Sequence, residues 1–304
     1  MRHFTLKQLR AFAETVRQGS VTGAAHILNV TPPAVSLQLK LLEEMAGLPL
    51  LIRDERGFRP TDAGQVVVDT AQRVEAVLRD GGEALRALRG GAHGTVHVGV
   101  VSTAKYFAPH ALAAFRALHP EIELKLSVGN RDETAAALRN YDLDFAVMGR
   151  PPRDFAVEQE RVGPHPHIVI AQPGHRLARR GDVTLDMLAG ETFLTREAGS
   201  GTRSLTDQLI ARMGHTPPIA MEISSNETIK QAVMAGLGVA LISAHTVAQE
   251  VNEGRLDIIH SEGLPVVRMW YGVRRADRPL LPATRMLWRY FAEEVSAMLP
   301  QISG

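Results

Sequence analysis

The sequence predicts an α/β multidomain protein in three parts: a small N-terminal helical domain, a long linking helix, and a larger domain of alternating strands and helices. Three observations carry this. Helical periodicity fills residues 6–46 and two short extended pieces follow it. Apolar residues then recur in alternating steps of four and three from Val67 to Leu88. Beyond the Gly-rich stretch 90–94, short apolar runs alternate with helical segments to the end. At 304 residues the chain is too long for one ordinary domain.

In the first part, Leu6, Leu9, Ala13 and Val16 fall on one helix face, with Lys7, Arg10, Glu14 and Arg17 opposite. Gly19 stops that helix and Ser20 caps the next, whose apolar face is Val21, Ala24, Ala25 and Leu28. Asn29-Val30 makes a tight connection. Thr31 reads as the next N-cap, with Pro32 at the first helical position, where a missing N–H costs nothing. The third helix runs to about Ala46 and Gly47 ends it. Extended pieces at 50–53 and 58–60, turning at Arg56-Gly57, complete the outline of a winged helix-turn-helix over 4–61, its core motif at about 21–40.

The long helix covers about 62–90. Its seam is Val67, Ala71, Val74, Leu78, Gly81, Leu85 and Leu88, a heptad pattern that asks for a partner helix. Gly81-Gly82 weakens it by roughly 1 kcal/mol per glycine relative to Ala. Residues 91–304 then offer strands at 96–101, 122–128, 143–148, 167–171, 219–223, 239–242 and 266–273. Helices are expected at 109–118, 133–139, 202–213, 227–235, 244–253 and 282–298. That order predicts parallel α/β sheets with ligands at strand C-termini. About 210 residues is generous for one such sheet, so two subdomains flanking a cleft are expected.

Composition removes several classes. Hydrophobic residues at 45% and charged residues at 22% exclude disorder. No apolar run approaches the ~20 residues that span a bilayer, and the N-terminus lacks the apolar core of an export peptide. The absence of Cys excludes disulfides, thiolate catalysis and Cys-based zinc sites. A soluble cytoplasmic protein without a membrane partner is expected.

The third helix is the candidate reader of DNA. With Val35, Leu39, Leu42 and Ala46 turned inward, Pro33, Ser36, Leu37 and Lys40 point away. Most of that outward set is small or uncharged, and Ser and Gln side chains can bond base edges in a major groove. Candidate contacts are Thr31, Pro33, Ser36, Gln38 and Lys40, with Arg53 and Arg56 of the wing meeting phosphates. Residues 1–89 hold 12 Lys+Arg against 10 Asp+Glu, so any such binding rests on local placement of charge. The plainer alternative is a small helical domain with a hairpin.

At this point a resemblance is visible. Leu6-Lys7-Gln8-Leu9, Gly19-Ser20-Val21-Thr22-Gly23-Ala24-Ala25, the run Thr31 to Glu43 and Arg59-Pro60-Thr61-Asp62-Ala63-Gly64 strongly resemble the N-terminus of LysR-type transcriptional regulators. The resemblance covers the whole chain. It implies a helix-turn-helix that reads a promoter palindrome in double-stranded DNA and a long helix that dimerises. It also implies a periplasmic-binding-protein-like effector domain, a homodimer or homotetramer, and RNA polymerase as a further partner. Pro32 stands where the family usually has Gln, and Leu37 where it often has Arg. Direct readout is therefore placed on Ser36, with Pro33 against a thymine methyl.

Three segments of the larger domain suggest an anion site at helix N-termini. Ser102, Thr103 and Lys105 follow a strand and precede a helix. Thr195, Arg196, Glu197, Gly199, Ser200, Gly201, Thr202 and Arg203 link a short strand to another. There the glycines permit close backbone approach, and Arg196 and Arg203 are the candidate bidentate clamp. Asn226, Glu227 and Thr228 open a third helix, and Asn130 and His167 complete the candidate set. Capping alone is an open reading for Ser102, and for Ser224 with Glu227 at capping-box spacing.

Other motifs read as structural. His165-Pro166-His167 lacks an evident third metal ligand and reads as a loop lining the cleft. Gly236-Leu237-Gly238 is a helix stop rather than a dinucleotide fingerprint, and Arg274, Arg275 and Arg278 form a solvated basic run.

Ser102 to Pro109, Met148 to Pro152, His165-Pro166-His167, Arg196 to Arg203 and Ser225 to Gly236 resemble the LysR subgroup regulating Calvin-cycle (RuBisCO) operons. That implies no cofactor beyond a small effector, a phosphorylated metabolite or a nucleotide; a carboxylate effector at another metabolic operon is the alternative. An enzyme would need a catalytic constellation that is not apparent. A transport-type solute-binding protein would need an export signal in place of the helix-turn-helix.

Overall fold

The computed structural model describes residues 4–55, 57–88 and 94–302. The chain divides into two compact units, Met1–Ala84 and Leu85–Gly304.

The first unit is built by punctuation that the sequence displays. Helix α1 (Leu6–Gln18) begins with a reciprocal capping box between Thr5 and Gln8 and ends at Gly19 in the left-handed conformation. Helix α2 (Val21–Leu28) is capped by the Ser20 hydroxyl accepting from the Gly23 N–H, and Asn29 closes it at φ 53°. Helix α3 (Pro32–Ala46) ends at Gly47, φ 66°. Strands β1 (Leu51–Asp54) and β2 (Gly57–Pro60) pair antiparallel as the wing. The wing is pinned to the α1–α2 turn, because the Phe58 N–H donates to the Gly19 carbonyl at 2.9 Å. A Cβ on Gly57 (φ +107°) would collide with that same oxygen.

The core of this unit joins Phe12, Val35, Leu42 and Leu50 to Val67 and Ala71 of helix α4 (Asp62–Leu88). The buried stripe of α1 is Gln8, Leu9, Ala11, Phe12 and Thr15, centred beside the expected face, of which Leu9 is buried and Ala13 and Val16 pack partly buried against the core. Gln8 tolerates burial because its amide is spent on the cap, and Thr15 because its hydroxyl donates to the Ala11 carbonyl at 2.7 Å. Along α4 the heptad seam divides. Its early residues fill this core, whereas Leu78 and Leu85 are 50% and 65% exposed.

In the second unit, β3 (Gly94–Val101) leads through a 3-10 turn into α5 (Ala108–Leu118). Strand β4 (Ile122–Gly129), α6 (Arg131–Arg139) and β5 (Phe145–Met148) follow. The long strand β6 (Val157–Ala171) precedes α7 (Leu185–Ala189), β7 (Phe193–Arg196), α8 (Gly201–Ile210) and β8 (Ile219–Ile223). Next come α9 (Asn226–Met234), β9 (Ala240–Ser243), α10 (Ala244–Asn252) and β10 (Asp257–Ile259). Strand β11 (Val266–Arg275) and α11 (Pro282–Glu293) close the unit.

The expectation of parallel sheets is corrected here. Only β3–β4, β3–β5 and β7–β8 are parallel among the named strand pairs, while β6 and β11 run antiparallel from Val266↔His167 to Arg275↔Val157. The larger sheet has the order β10-β6-β11-β5-β3-β4, with β9 also on β6. These two long strands tie two lobes together. One lobe buries Phe107, Phe115, Phe145, Trp270 and Phe291. The other packs Phe193, Leu205 and Val239 in one cluster and Ile170, Val233 and Ile242 in another. His165-Pro166-His167 is the middle of β6 rather than a loop. Arg278 is 9% exposed and bonds Asp144, so the basic run near 275 is only partly solvated. Among the described residues no helix is long and apolar enough to cross a membrane.

Candidate functional site

In the first unit, Thr31, Pro33, Ser36 and Lys40 are exposed on α3 and Gln38 is half-buried beside them. The Thr31 hydroxyl makes no capping bond, and Lys40 reaches Glu44 at 3.8 Å across one helical turn. Leu37 stands between these polar groups, 53% exposed. Arg53 is exposed on the wing with its guanidinium over the Phe58 ring, 5.6 Å from the centroid. Arg56 lies outside the described residues. The outer face of α3 is thus mostly small or polar around an exposed Leu37, and Ser and Gln side chains are of the kind that bond base edges in a major groove.

The second unit carries a cleft with about 420 Å³ of space unfilled by atoms, its open mouth included. Val101, Ser102 and Thr103 close one side, Asn130 and Arg131 stand at the start of α6, and Gly149-Arg150 follows β5. The floor is His165 and His167 of β6 with Arg268 of β11, and Ser200, Gly201 and Thr202 contribute the start of α8. Two helix starts therefore line one space, but that of α6 is closed by the reciprocal Asn130–Glu133 capping box and by the Asp132 N–H donating to the Gly199 carbonyl. Ser200 is 7% exposed and makes no side-chain cap, so its hydroxyl does not compete for the first N–H groups of α8.

Three cationic side chains converge here. Arg131 donates to Asp132 at 2.8 Å and to the Arg150 carbonyl at 3.2 Å. Among the described residues the Arg150 guanidinium reaches only the Ser204 hydroxyl, at 3.4 Å. Among the described residues no carboxylate lies within ion-pair distance of Arg150 or Arg268. Burial, then the charges of Arg150 and Arg131, push the Arg268 guanidinium below its ordinary pKa. The histidines respond alike: burial first, then neighbouring imidazoles and Arg268, hold His165 well below the usual range. His167 is held down to about 3, by burial and then Arg268. The histidines are thus held neutral chiefly by burial, and Arg268 is left as a half-buried cation beside two others, a setting that an anion would relieve.

The remaining sequence candidates lie elsewhere. Arg196 is 2% exposed and fully engaged: Nε reaches Glu197 at 2.8 Å, Nη2 reaches the Ser224 carbonyl at 3.2 Å, and Asn226 accepts from Nη1. Ser102 accepts from Arg196 and Asn226, both at 3.4 Å, which makes it both a cleft wall and a tie. Arg203 bonds Asp207 at 2.9 Å and Glu222 at 2.5 Å. The expected clamp of Arg196 and Arg203 is therefore spent on struts, and neither guanidinium lines the cleft. Thr195 is buried in β7, and Gly199 takes φ +84° with its carbonyl accepting from the Asp132 N–H at 3.3 Å. Lys105 sits over the Tyr106 ring, and Glu227 pairs with Lys230 at 2.9 Å. Thr228 is exposed, its N–H donating to Ser225, which caps α9 in place of Ser224.

Arg131, Arg150 and Arg268 escaped the sequence reading because they come from a helix start, a strand end and a mid-strand position far apart in the chain. Alternation on β11 was a usable signal, since Arg268 and Trp270 share a face. Among the described residues, no group of three His, Cys, Asp or Glu side chains is placed to hold a metal.

Comparison with known proteins agrees with this architecture. Residues 6–65 match the bacterial regulatory helix-turn-helix protein, lysR family, and residues 89–296 match the LysR substrate binding domain. The chain is 49% identical over 304 residues to the HTH-type transcriptional regulator CbbR of Xanthobacter flavus, covering 99% of this chain and 91% of that one. It is 38% identical over 296 residues to the RuBisCO operon transcriptional regulator of Allochromatium vinosum, covering 97% and 98%. Its fold resembles the Synechocystis PCC6803 CcmR regulatory domain in complex with 2-PG, at TM-score 0.65 and 31% identity, covering 68% of this chain and 99% of that one. With both halves matched in order, the chain belongs to the LysR family of DNA-binding transcriptional regulators, a helix-turn-helix joined to an effector-binding domain.

Proposed function

We propose that this regulator controls carbon-fixation genes and that its effector is a small, multiply charged anion, phosphate-bearing, held by Arg131, Arg150 and Arg268. The observation that carries the reading is the convergence of those three guanidiniums with the uncapped start of α8 on one cleft that offers no acidic side chain among its lining residues. The names of the relatives from Xanthobacter flavus and Allochromatium vinosum support the target, and the 2-PG complex of the CcmR domain supports a small ligand in this domain type.

The mechanism follows from charge. An anion relieves repulsion among the arginines and draws the two lobes onto itself, so the closed arrangement is the one it favours. Two copies pair through the exposed Leu78 and Leu85 of α4, as a dimer or tetramer, and lobe closure alters how their α3 helices address two half-sites. A ~100-fold preference of the ligand for one arrangement would shift the balance by roughly 2.7 kcal/mol. RNA polymerase is the further partner of the DNA-bound form, the setting is the cytoplasm, and no cofactor beyond the effector is required.

A thermal-shift screen of the full chain tests this. The panel is sulfate, inorganic phosphate, 3-phosphoglycerate, ribulose 1,5-bisphosphate, nucleotides and dicarboxylates. Stabilisation by a phosphorylated compound that disappears in Arg268→Ala is expected. Stabilisation by dicarboxylates alone would move the effector to that class, and no response to any anion would remove the reading.

A further inference from the structure

Resting on that anion site, we propose that His165 is a specificity-determining residue that stays neutral and donates its Nδ1–H to the bound anion. His165 is 4% exposed, yet both of its ring nitrogens are buried without a hydrogen-bond partner. A buried imidazole left in that state is costly unless something else supplies an acceptor. The ring lines the cleft, and Nδ1 faces Gly149, which lines it too. A Cβ on Gly149 would stand 2.7 Å from Nδ1, so any larger residue there would pack onto that nitrogen and take the place of an acceptor.

The ring is fixed from several sides. It lies on Trp270 with centroids 3.6 Å apart and planes 14° from parallel. Trp270 is itself held, its Nε1–H donating to His245 Nδ1 at 3.0 Å. His167 packs at 4.1 Å, and Arg268 is the directly opposed residue on β11. The titratable or charged groups facing His165 are therefore His167 on its own strand, Arg268 on β11, His245 on α10, Arg150 after β5 and Arg131 on α6. None is acidic. Burial and those neighbours keep the imidazole uncharged, so it recognises an acceptor through one directed N–H and takes up no proton. The arginines supply attraction; His165 supplies direction.

Titration calorimetry on the full chain at pH 8.0 tests this, using sulfate, inorganic phosphate, 3-phosphoglycerate and ribulose 1,5-bisphosphate and following whichever binds tightest. His165→Phe keeps the stack on Trp270 and removes the donor; about ten- to hundredfold weaker binding is expected. His165→Asn keeps an N–H near the Nδ1 position and should bind more tightly than His165→Phe. Gly149→Ala should weaken binding at least tenfold by filling the approach. Repeating the wild-type titration in two buffers of different ionisation enthalpy should give no proton uptake.

Unchanged affinity in His165→Phe, or uptake of about one proton, overturns the proposal while leaving the anion site standing. If the wild type binds none of the four, the anion site itself falls and this inference with it. Should His165→Phe lack a cooperative melt, Gly149→Ala and the paired-buffer titration decide: wild-type affinity in Gly149→Ala overturns the proposal.

Discussion

Arg203 donates through Nη1 to the main-chain oxygen of Arg196 at 2.9 Å, so the two arginines flanking the Gly199–Gly201 loop are bound to each other's neighbourhood rather than to open space. The pair reads as a clamp in sequence and works as a brace in the fold. Arg203→Ala should leave anion affinity within about twofold, because its ion partners Glu222 and Asp207 are more than half exposed and such pairs are worth ~0–1 kcal/mol. Arg268→Ala should weaken the same titration about tenfold or more, as loss of a charge-assisted bond does. Equal losses in the two variants would return Arg203 to the site.

Arg196 makes the opposite case for stability. Its side chain is 1% exposed against Glu197, and it ties β7 to the start of α9 through Ser224 and Asn226. Removing one partner of a buried pair leaves the other uncompensated, a cost of about 3–5 kcal/mol. Arg196→Ala should lower the urea midpoint of the effector domain's transition markedly, and a shift of less than about 1 kcal/mol would show that the tie is dispensable.

Stability should also depend on pH through two buried histidines, His167 of the cleft and His245 behind Trp270. His167 is held down to about 3 and His245 to about 4, chiefly by burial. An unfolded histidine titrates near 6.5, so below that pH the unfolded chain binds more protons than the folded one. Each such histidine then costs about 1.4 kcal/mol per pH unit as the pH falls from 6.5 toward its folded value. Urea midpoints should be flat between pH 7 and 8 and fall steadily from 6.5 to 4. A His167→Gln variant should show a shallower fall, and an identical slope would refute the assignment.

Two predictions concern DNA binding and the pairing of protomers. Ser36→Ala should weaken binding to the cognate promoter several-fold more than binding to random duplex, as loss of a base contact does while phosphate contacts persist. Parallel losses on both duplexes would assign Ser36 to the backbone. Leu78→Glu should yield monomers in sedimentation equilibrium, since Leu78 is half exposed on the α4 seam and a charge there opposes a packed partner. An unchanged assembly would place the protomer contact elsewhere.

Much of the fold was legible because local chemistry writes it. Gly19, Ser20, Asn29, Pro32 and Gly47 each impose a backbone conformation or a cap that needs no distant partner. The α1 stripe is legible only in part: Leu9 is buried and Ala13 and Val16 pack against the core, but Gln8 and Thr15 are polar residues made buriable by local bonds, which periodicity scores as surface. The alternation of strands and helices points to parallel pairing that β6 and β11 do not adopt, because they are long strands crossing between lobes and pairing direction is decided by topology rather than composition.

The cleft was half legible for a related reason. Ser102, Thr103, Asn130, Ser200, Gly201 and Thr202 lie at turns and helix starts, where sequence marks the geometry, and they do line it. Arg131, Arg150 and Arg268 acquire meaning only when three distant segments meet. The nearby acids Glu197, Asp207 and Glu222 were the clue that Arg196 and Arg203 were already taken.

The central claim is that an anion among Arg131, Arg150 and Arg268 changes how α3 is presented to DNA. Fluorescence anisotropy of the full chain on a labelled carbon-fixation promoter, titrated with and without the tightest-binding anion, tests it directly. The account predicts that the anion shifts the apparent Kd or the half-site footprint in the wild type and does neither in Arg268→Ala. An anion that binds the wild type tightly yet leaves promoter affinity and footprint unaltered would contradict it.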